Sequence, residues 1–271
     1  MSTVYICTRG RIPNLFRVVP RWLNQNFHVV IVVEKDELKD HREFRSDLAK
    51  SREDPYKALS QIDIRPLPKK NQGLGYARNY AVLEAHRGRL KSIIYSDDDI
   101  RPGADSDMSI LTEAARSNEV LAIGAATRIQ DHFTKGAVSA NSGIMLAPGC
   151  WAHRMFALNV LNTIEVGNFD VNLGVLGDDD ELQRQGIYAE FPWAVHCDVW
   201  AESIGARFQA GGVESLTNVS EKRTENHKYM HDIWPEYVSA PPKKYRTAWQ
   251  RMMDDFIPEW RERSAMHGGS W

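Results

Sequence analysis

Ser92-Ile93-Ile94-Tyr95-Ser96-Asp97-Asp98-Asp99 passes from a short apolar β-type run into three adjacent carboxylates. Like charges side by side repel, and each unpaired carboxylate near a core costs several kcal/mol, roughly. Such a run is a poor way to end a strand unless a cation meets it. Hard divalent ions such as Mg²⁺ take oxygen ligands, often one or two carboxylates together with substrate phosphates. The stretch therefore predicts a strand whose C-terminal end holds a metal–phosphate group. A solvated acidic turn, or a helix N-terminus rich in Asp, is the alternative for such a run taken alone.

The segments before it set the context. Val4 to Thr8 reads as a buried first strand, followed by the turn Arg9-Gly10-Arg11. Pro13 suits the first turn of a helix carrying Leu15, Phe16, Val19, Trp22 and Leu23, with Pro20 placed to kink or end it. Val29 to Val33 is a second strand closed by Glu34, residues 35–60 read as helix and loop, and Ile62 to Leu67 is a third strand. Asn71-Gln72-Gly73-Leu74-Gly75 is a glycine turn opening a helix over Tyr76 to His86. Strand alternating with helix is the rhythm of a mainly parallel α/β sheet with flanking helices. Beyond Asp99, Met108 to Ser117 reads as helix, and Val120 to Ala126 and Ser142 to Leu146 as strands. Gly177-Asp178-Asp179-Asp180-Glu181-Leu182 forms a second acidic cluster, starting a helix that ends near Gly186.

The totals narrow the classes. At 271 residues the chain is long enough for one large domain or two small ones, and no linker marks a boundary. No apolar run approaches the roughly 20 residues that span a bilayer, so no membrane is expected. The N-terminus carries no signal-peptide h-region. The three cysteines, Cys7, Cys150 and Cys197, have no CxxC spacing, which excludes a thiolate zinc pattern and fits a reducing cytoplasm. A formal charge of −2 gives no global attraction to nucleic acid but leaves room for a local basic face.

Ligands of open α/β sheets bind at the carboxyl ends of the strands. Thr8, Arg9 and Arg11 fall there after the first strand, Glu34 after the second, and Asp97 to Asp99 after the fourth. Guanidinium groups at Arg9 and Arg11 suit a diphosphate, and Glu34 suits a ribose or base. Gly73 and Gly75 let a backbone approach a ligand at a helix start, with Arg78 and Asn79 in reach of it.

Together these residues resemble the GT-A-fold glycosyltransferases. The shared pattern is the Thr8-Arg9-Gly10-Arg11 turn, the acid after the second strand, Gly73-Leu74-Gly75-Tyr76-Ala77-Arg78-Asn79, and the aspartate triplet. In that fold an Asp-x-Asp motif holds Mn²⁺ or Mg²⁺ on the diphosphate of a nucleotide sugar. Asp97 and Asp99 occupy its two positions, with Asp98 between them at the donor. Asp178-Asp179 stands where inverting members carry Glu-Asp, which implies Asp179, or else Asp178, as the base. His196, His227 and His231 are further candidate metal ligands, since GT-A enzymes often use a late His or Asp. Within the fold, the chain most resembles the phage TET-associated glycosyltransferases, also through Asn226-His227 and Trp234-Pro235-Glu236-Tyr237. That resemblance implies one GT-A-like domain over 1–237, with a nucleotide-sugar half near 1–126 and an acceptor half near 127–237. Residues 238–271 form a helical, basic tail.

The function so implied is metal-dependent, inverting transfer of a sugar from a nucleotide sugar, UDP-sugar first, to a hydroxyl. The acceptor implied is 5-hydroxymethylcytosine in phage DNA, and the place is the host cytoplasm. Lys222/Arg223, Lys243/Lys244/Arg246 and Arg261/Arg263 could track DNA phosphates, or serve only as solvated faces. A glycan, lipid or small-molecule acceptor, a nucleotidyltransferase using the same Asp pair, and a non-catalytic binder of nucleotide or DNA are the competing readings.

Overall fold

The computed structural model describes residues 1–69, 73–116, 120–129, 132–133, 144–146, 154–173, 178–189, 191, 193–204 and 219–233. Asn71 and Gln72, Ser142 and Gly143, and the 238–271 tail lie outside the described residues, as does Trp234 to Tyr237. Four strands form the parallel part of the sheet: β1 (Thr3–Cys7), β2 (His28–Val33), β3 (Ile62–Pro66) and β4 (Ser92–Asp97), in the order β3-β2-β1-β4. β1, β2 and β4 are buried along nearly their whole length, which is why they read as continuous apolar runs rather than alternating ones.

The pleat sorts these side chains onto two faces. Val4, Ile6, Val29, Ile31 and Ile94 pack with α1 (Ile12–Asn24), α2 (Leu38–Lys50) and α3 (Pro55–Gln61). Tyr5, Cys7, Val30, Val32, Ile93 and Tyr95 pack on the other face with α4 (Leu74–Arg87). The helix α1 runs through Pro20 to Asn24 rather than ending there. Trp22 and Leu23, beyond the proline, are buried in the core. Burying two such side chains yields about 3–6 kcal/mol, enough to offset the ~3 kcal/mol cost of an interior proline.

After β4 come β5 (Ile100–Pro102), α5 (Ser109–Ala114), β6 (Ala122–Ile129), β7 (His132–Phe133) and β8 (Ile144–Leu146). Then follow β9 (Met155–Asn159), α6 (Val160–Glu165), α7 (Asp178–Tyr188), β10 (Trp193–Ser203) and α8 (Val219–Ile233). The sheet continues from β4 as β9-β6-β10-β5, with β7 beside β6 and β8 beside β10. β9 enters antiparallel between β4 and β6, and β6 is parallel to β10. The result is one α/β domain, mostly parallel on its N-terminal side, with helices on both faces. Among the described residues no helix is long and apolar enough to cross a membrane.

The α7 helix does not stop at Gly186. A Cβ there would lie 2.5 Å from Leu121 Cδ2 and 2.7 Å from the Phe191 carbonyl oxygen. The helix ends two residues on, at Tyr188, and the glycine marks a close approach of its last turn to the chain beyond, where the Phe191 N–H donates to the Gly186 carbonyl.

Candidate active site

The ends of β1, β2 and β4 lie side by side, with Cys7 in register with Val32 and Asp97. That puts Thr8, Glu34 and the aspartate triplet along one carboxyl edge, where open α/β sheets bind ligands. Thr8, Glu34, Asp98 and Asp99 are buried.

The three aspartates do not act as one cluster. Asp98 turns toward the first strand: it accepts from Thr8 Oγ1 at 2.5 Å and from Arg11 Nε at 2.9 Å, with a second contact from Arg11 Nη2. Burial pushes its carboxyl up to about 7, opposed by the Arg11 charge and then the Thr8 hydrogen bond. Asp97 and Asp99 share a different cation. Arg154 donates from Nε to Asp97 Oδ2 at 3.3 Å and from Nη2 to Asp99 Oδ1 at 2.5 Å. Burial raises the Asp97 carboxyl, and the charges of Arg154 and then Arg78 pull it back. Residues 97 and 99 thus look one way and residue 98 the other, an alternation the bare triplet does not reveal.

Gly73 opens α4 at φ 84°, in the region that favours glycine, and Gly75 is buried one residue into the helix. Arg78, one turn along, is buried at 3% exposure. Its guanidinium stands 4.5 Å from the centroid of the Tyr95 ring, with Phe169 and Phe156 at 5.3 and 5.6 Å. That aromatic box holds a cation while excluding water. The guanidinium faces two acids, Asp97 Oδ1 at 4.0 Å and Asp179 Oδ2 at 3.9 Å. Arg78 therefore joins the first acidic cluster to the second.

Asn79 does not face that site. Its amide forms a reciprocal pair with the Phe169 backbone, donating to the carbonyl at 2.7 Å and accepting from the N–H at 2.9 Å. The pair ties α4 to the Phe169 backbone. Arg11 is engaged by Asp98, whereas Arg9 lies exposed on the turn. Glu37 accepts from the Gly10 N–H and so steadies that turn; burial raises its carboxyl against this bond. Cys7 is buried beneath the edge, and burial pushes its thiol up to about 12.

His196 lies in β10 opposite Ala125 of β6 and Ile144 of β8. Among the described residues no three or more His, Cys, Asp or Glu side chains gather in a metal-holding group. The side chains of Asp178, His227 and His231 lie outside the described residues, as do those of Lys222 and Arg223. Asp97 and Asp99 still offer hard oxygen donors converging on one cationic group, and that donor set fits a divalent ion.

Sequence reading missed Arg154, the ring box around Arg78 and the role of Asn79. A charge count was the available signal for Arg154: four or more acids at one edge call for cations beyond Arg11 and Arg78.

No protein-family model matches the chain, and no curated protein matches its sequence. Solved structures do. GalNAc-T7 with UDP, GalNAc and Mn²⁺ aligns at TM-score 0.59 and 15% identity, over 97% of this chain and 58% of that one. The mannosyltransferase PcManGT of Pyrobaculum calidifontis, with GDP-Man and Mn²⁺, aligns at 0.60 and 15%, over 98% and 73%. TarS of S. aureus aligns at 0.52 and 13%, over 98% and 50%. The chain thus spans little more than half the length of the first of these structures. At such identities the likeness is one of fold, and the fold of this chain is that of the GT-A glycosyltransferases.

Proposed function

We propose that the chain is an inverting, metal-dependent glycosyltransferase that takes its sugar from a nucleotide sugar, UDP-sugar first. The observation that carries this reading is the split of the triplet: Asp98 is held by Thr8 and Arg11, while Asp97 and Asp99 present oxygens together. An Asp-x-Asp pair at a sheet's carboxyl edge is what a metal–diphosphate group needs. Mn²⁺ or Mg²⁺ held by Asp97 and Asp99 would neutralise charge on the leaving diphosphate. His196 and His227 are held in reserve as further ligands.

The chain's own groups divide the remaining work. Arg78 presents a water-excluded positive charge where the leaving group develops negative charge. Gly73 and Gly75 admit the donor backbone-close, Glu34 takes the ribose or base, and exposed Arg9 reaches the phosphates. Asp179, with Asp178 beside it, takes the proton of the acceptor hydroxyl. One base and no covalent intermediate give inversion at the anomeric carbon.

The acceptor we propose is 5-hydroxymethylcytosine in phage DNA, supported by the resemblance to the TET-associated enzymes. A panel of UDP- and GDP-sugars with Mn²⁺, read as nucleoside diphosphate release, tests the donor half. No release from any donor would sink the transferase reading, and pyrophosphate release from nucleoside triphosphates would replace it with nucleotidyl transfer.

A further inference from the structure

Arg154 sits immediately before β9, and the Asp97 N–H donates to its carbonyl at 2.9 Å, continuing the β4–β9 ladder by one step. The backbone is thereby fixed opposite Asp97. From there the guanidinium forks across both carboxylates, with Nη1 3.4 Å from Ser203 Oγ on β10. Asp99 is almost wholly enclosed, its side chain only 4% exposed, whereas Arg154 is 30% exposed and so has a way out toward solvent.

The guanidinium holds Asp97 Oδ2 and Asp99 Oδ1, and a hard divalent ion seated between the two carboxylates would take oxygens from the same pair. Placed there with the guanidinium still seated, the ion would face a positive charge at near-contact distance, so the two compete. Building on the transferase reading, we propose that Arg154 is a tethered cation that occupies the space between Asp97 and Asp99, and that a divalent ion binds only by driving its guanidinium off the pair. The arginine is then a positioning residue. It keeps one half-buried and one buried carboxylate neutralised and aligned while no metal is present, and it sets how much metal is needed to load the site. Without it, Asp99 would be an uncompensated buried charge with a stronger pull on any cation.

The test is titration of Mn²⁺ alone, followed by loss of the free-ion electron paramagnetic resonance signal, with no nucleotide or sugar present. Arg154→Gln, which keeps bulk and hydrogen bonding but removes the charge, should bind Mn²⁺ at least tenfold more tightly than the native protein. Adding Asp99→Asn should abolish that gain. Equal or weaker binding by Arg154→Gln, or a gain that survives Asp99→Asn, overturns the proposal.

Should the variant not fold, the native protein still decides. With ¹⁵N-labelled arginine and diamagnetic Mg²⁺, the salt-bridged Nε–H signal of Arg154, assigned through Arg154→Lys, should shift and exchange faster with water as Mg²⁺ is added. A signal unmoved at Mg²⁺ levels that bind overturns it, and so does the absence of any binding. Failure of every nucleotide sugar to turn over would remove the transferase reading without touching these ion titrations, so the two failures are separable.

Discussion

Asp98 is the aspartate of the triplet held by Thr8 and Arg11, and its loss should cost stability as well as any part it has in donor binding. Asp98→Ala would leave the Arg11 guanidinium and the Thr8 hydroxyl without their acceptor. Breaking a buried pair from one side costs about 3–5 kcal/mol, and we expect a fall in melting temperature of roughly 10 °C. Differential scanning calorimetry checks it; a shift within 2 °C or so would mean the pair is not holding the β1 turn. Asp99→Asn should behave differently: circular dichroism unchanged, Mn²⁺-dependent binding of nucleoside diphosphate lost in a calorimetric titration. At Asp179 the expectation is kinetic. Asp179→Asn should retain donor binding and lower turnover about 10²- to 10⁴-fold, the usual contribution of a general base. Near-normal turnover would move the role to Asp178. These acids were legible in the sequence because adjacent like charges are expensive and demand a reason. Their division of labour was not, since it depends on which way each side chain leaves the strand end. Arg154 was invisible for a plainer reason: it belongs to no motif and reaches the site only through the β9 pairing, which links positions 57 residues apart.

At the scale of elements, the helix α4 works at both ends of one turn. Arg78 faces the acids, and Asn79 clasps the Phe169 backbone. Asn79→Ala should destabilise the chain by about 2 kcal/mol, two hydrogen bonds at about 1 each. It should also speed amide exchange at Phe169, whose N–H loses its acceptor. Exchange at Phe169 that stays at the native rate would contradict this. Gly186→Ala puts a methyl against Leu121 and the Phe191 carbonyl, and overpacking of that kind costs about 1–3 kcal/mol. The strands β1, β2 and β4 were plain in the sequence, since both faces are covered and each carries a continuous apolar run, Val4–Cys7, Val29–Val33 and Ile93–Tyr95. What local pattern could not supply was the effect of tertiary packing. Burial of Trp22 and Leu23 carries α1 past Pro20, and a glycine in α7 that looks like a stop is a point of contact. β9, enclosed between β4 and β6, went unread because Met155-Phe156-Ala157-Leu158 is too short to separate strand from buried helix.

For the whole molecule, the sharpest question is the acceptor. Transfer to duplexes carrying 5-hydroxymethylcytosine should exceed transfer to unmodified duplexes. It should also weaken linearly in log–log terms as salt rises, because phosphate contacts release counterions. The base must leave its stack to reach a carboxylate at a sheet edge, so single-stranded or mismatched substrate should react at least as well. Negligible transfer to every DNA, beside brisk transfer to a soluble glycan, would leave the fold and remove the acceptor. On the proposed transferase reading, Arg78 constrains how donor and acceptor meet. One fixed charge, walled in by aromatic rings, is divided between an acid at the end of β4 and an acid on α7. Anything that relieves Asp97 of its need for that charge leaves more of it for Asp179, so on this reading the two halves should not fill independently. Thermodynamic reciprocity then fixes a symmetry: the factor by which a nucleoside diphosphate alters acceptor affinity must equal the factor by which the acceptor alters nucleoside diphosphate affinity. On the transferase reading, a buried arginine that serves two carboxylates makes donor and acceptor partners in a single binding equilibrium.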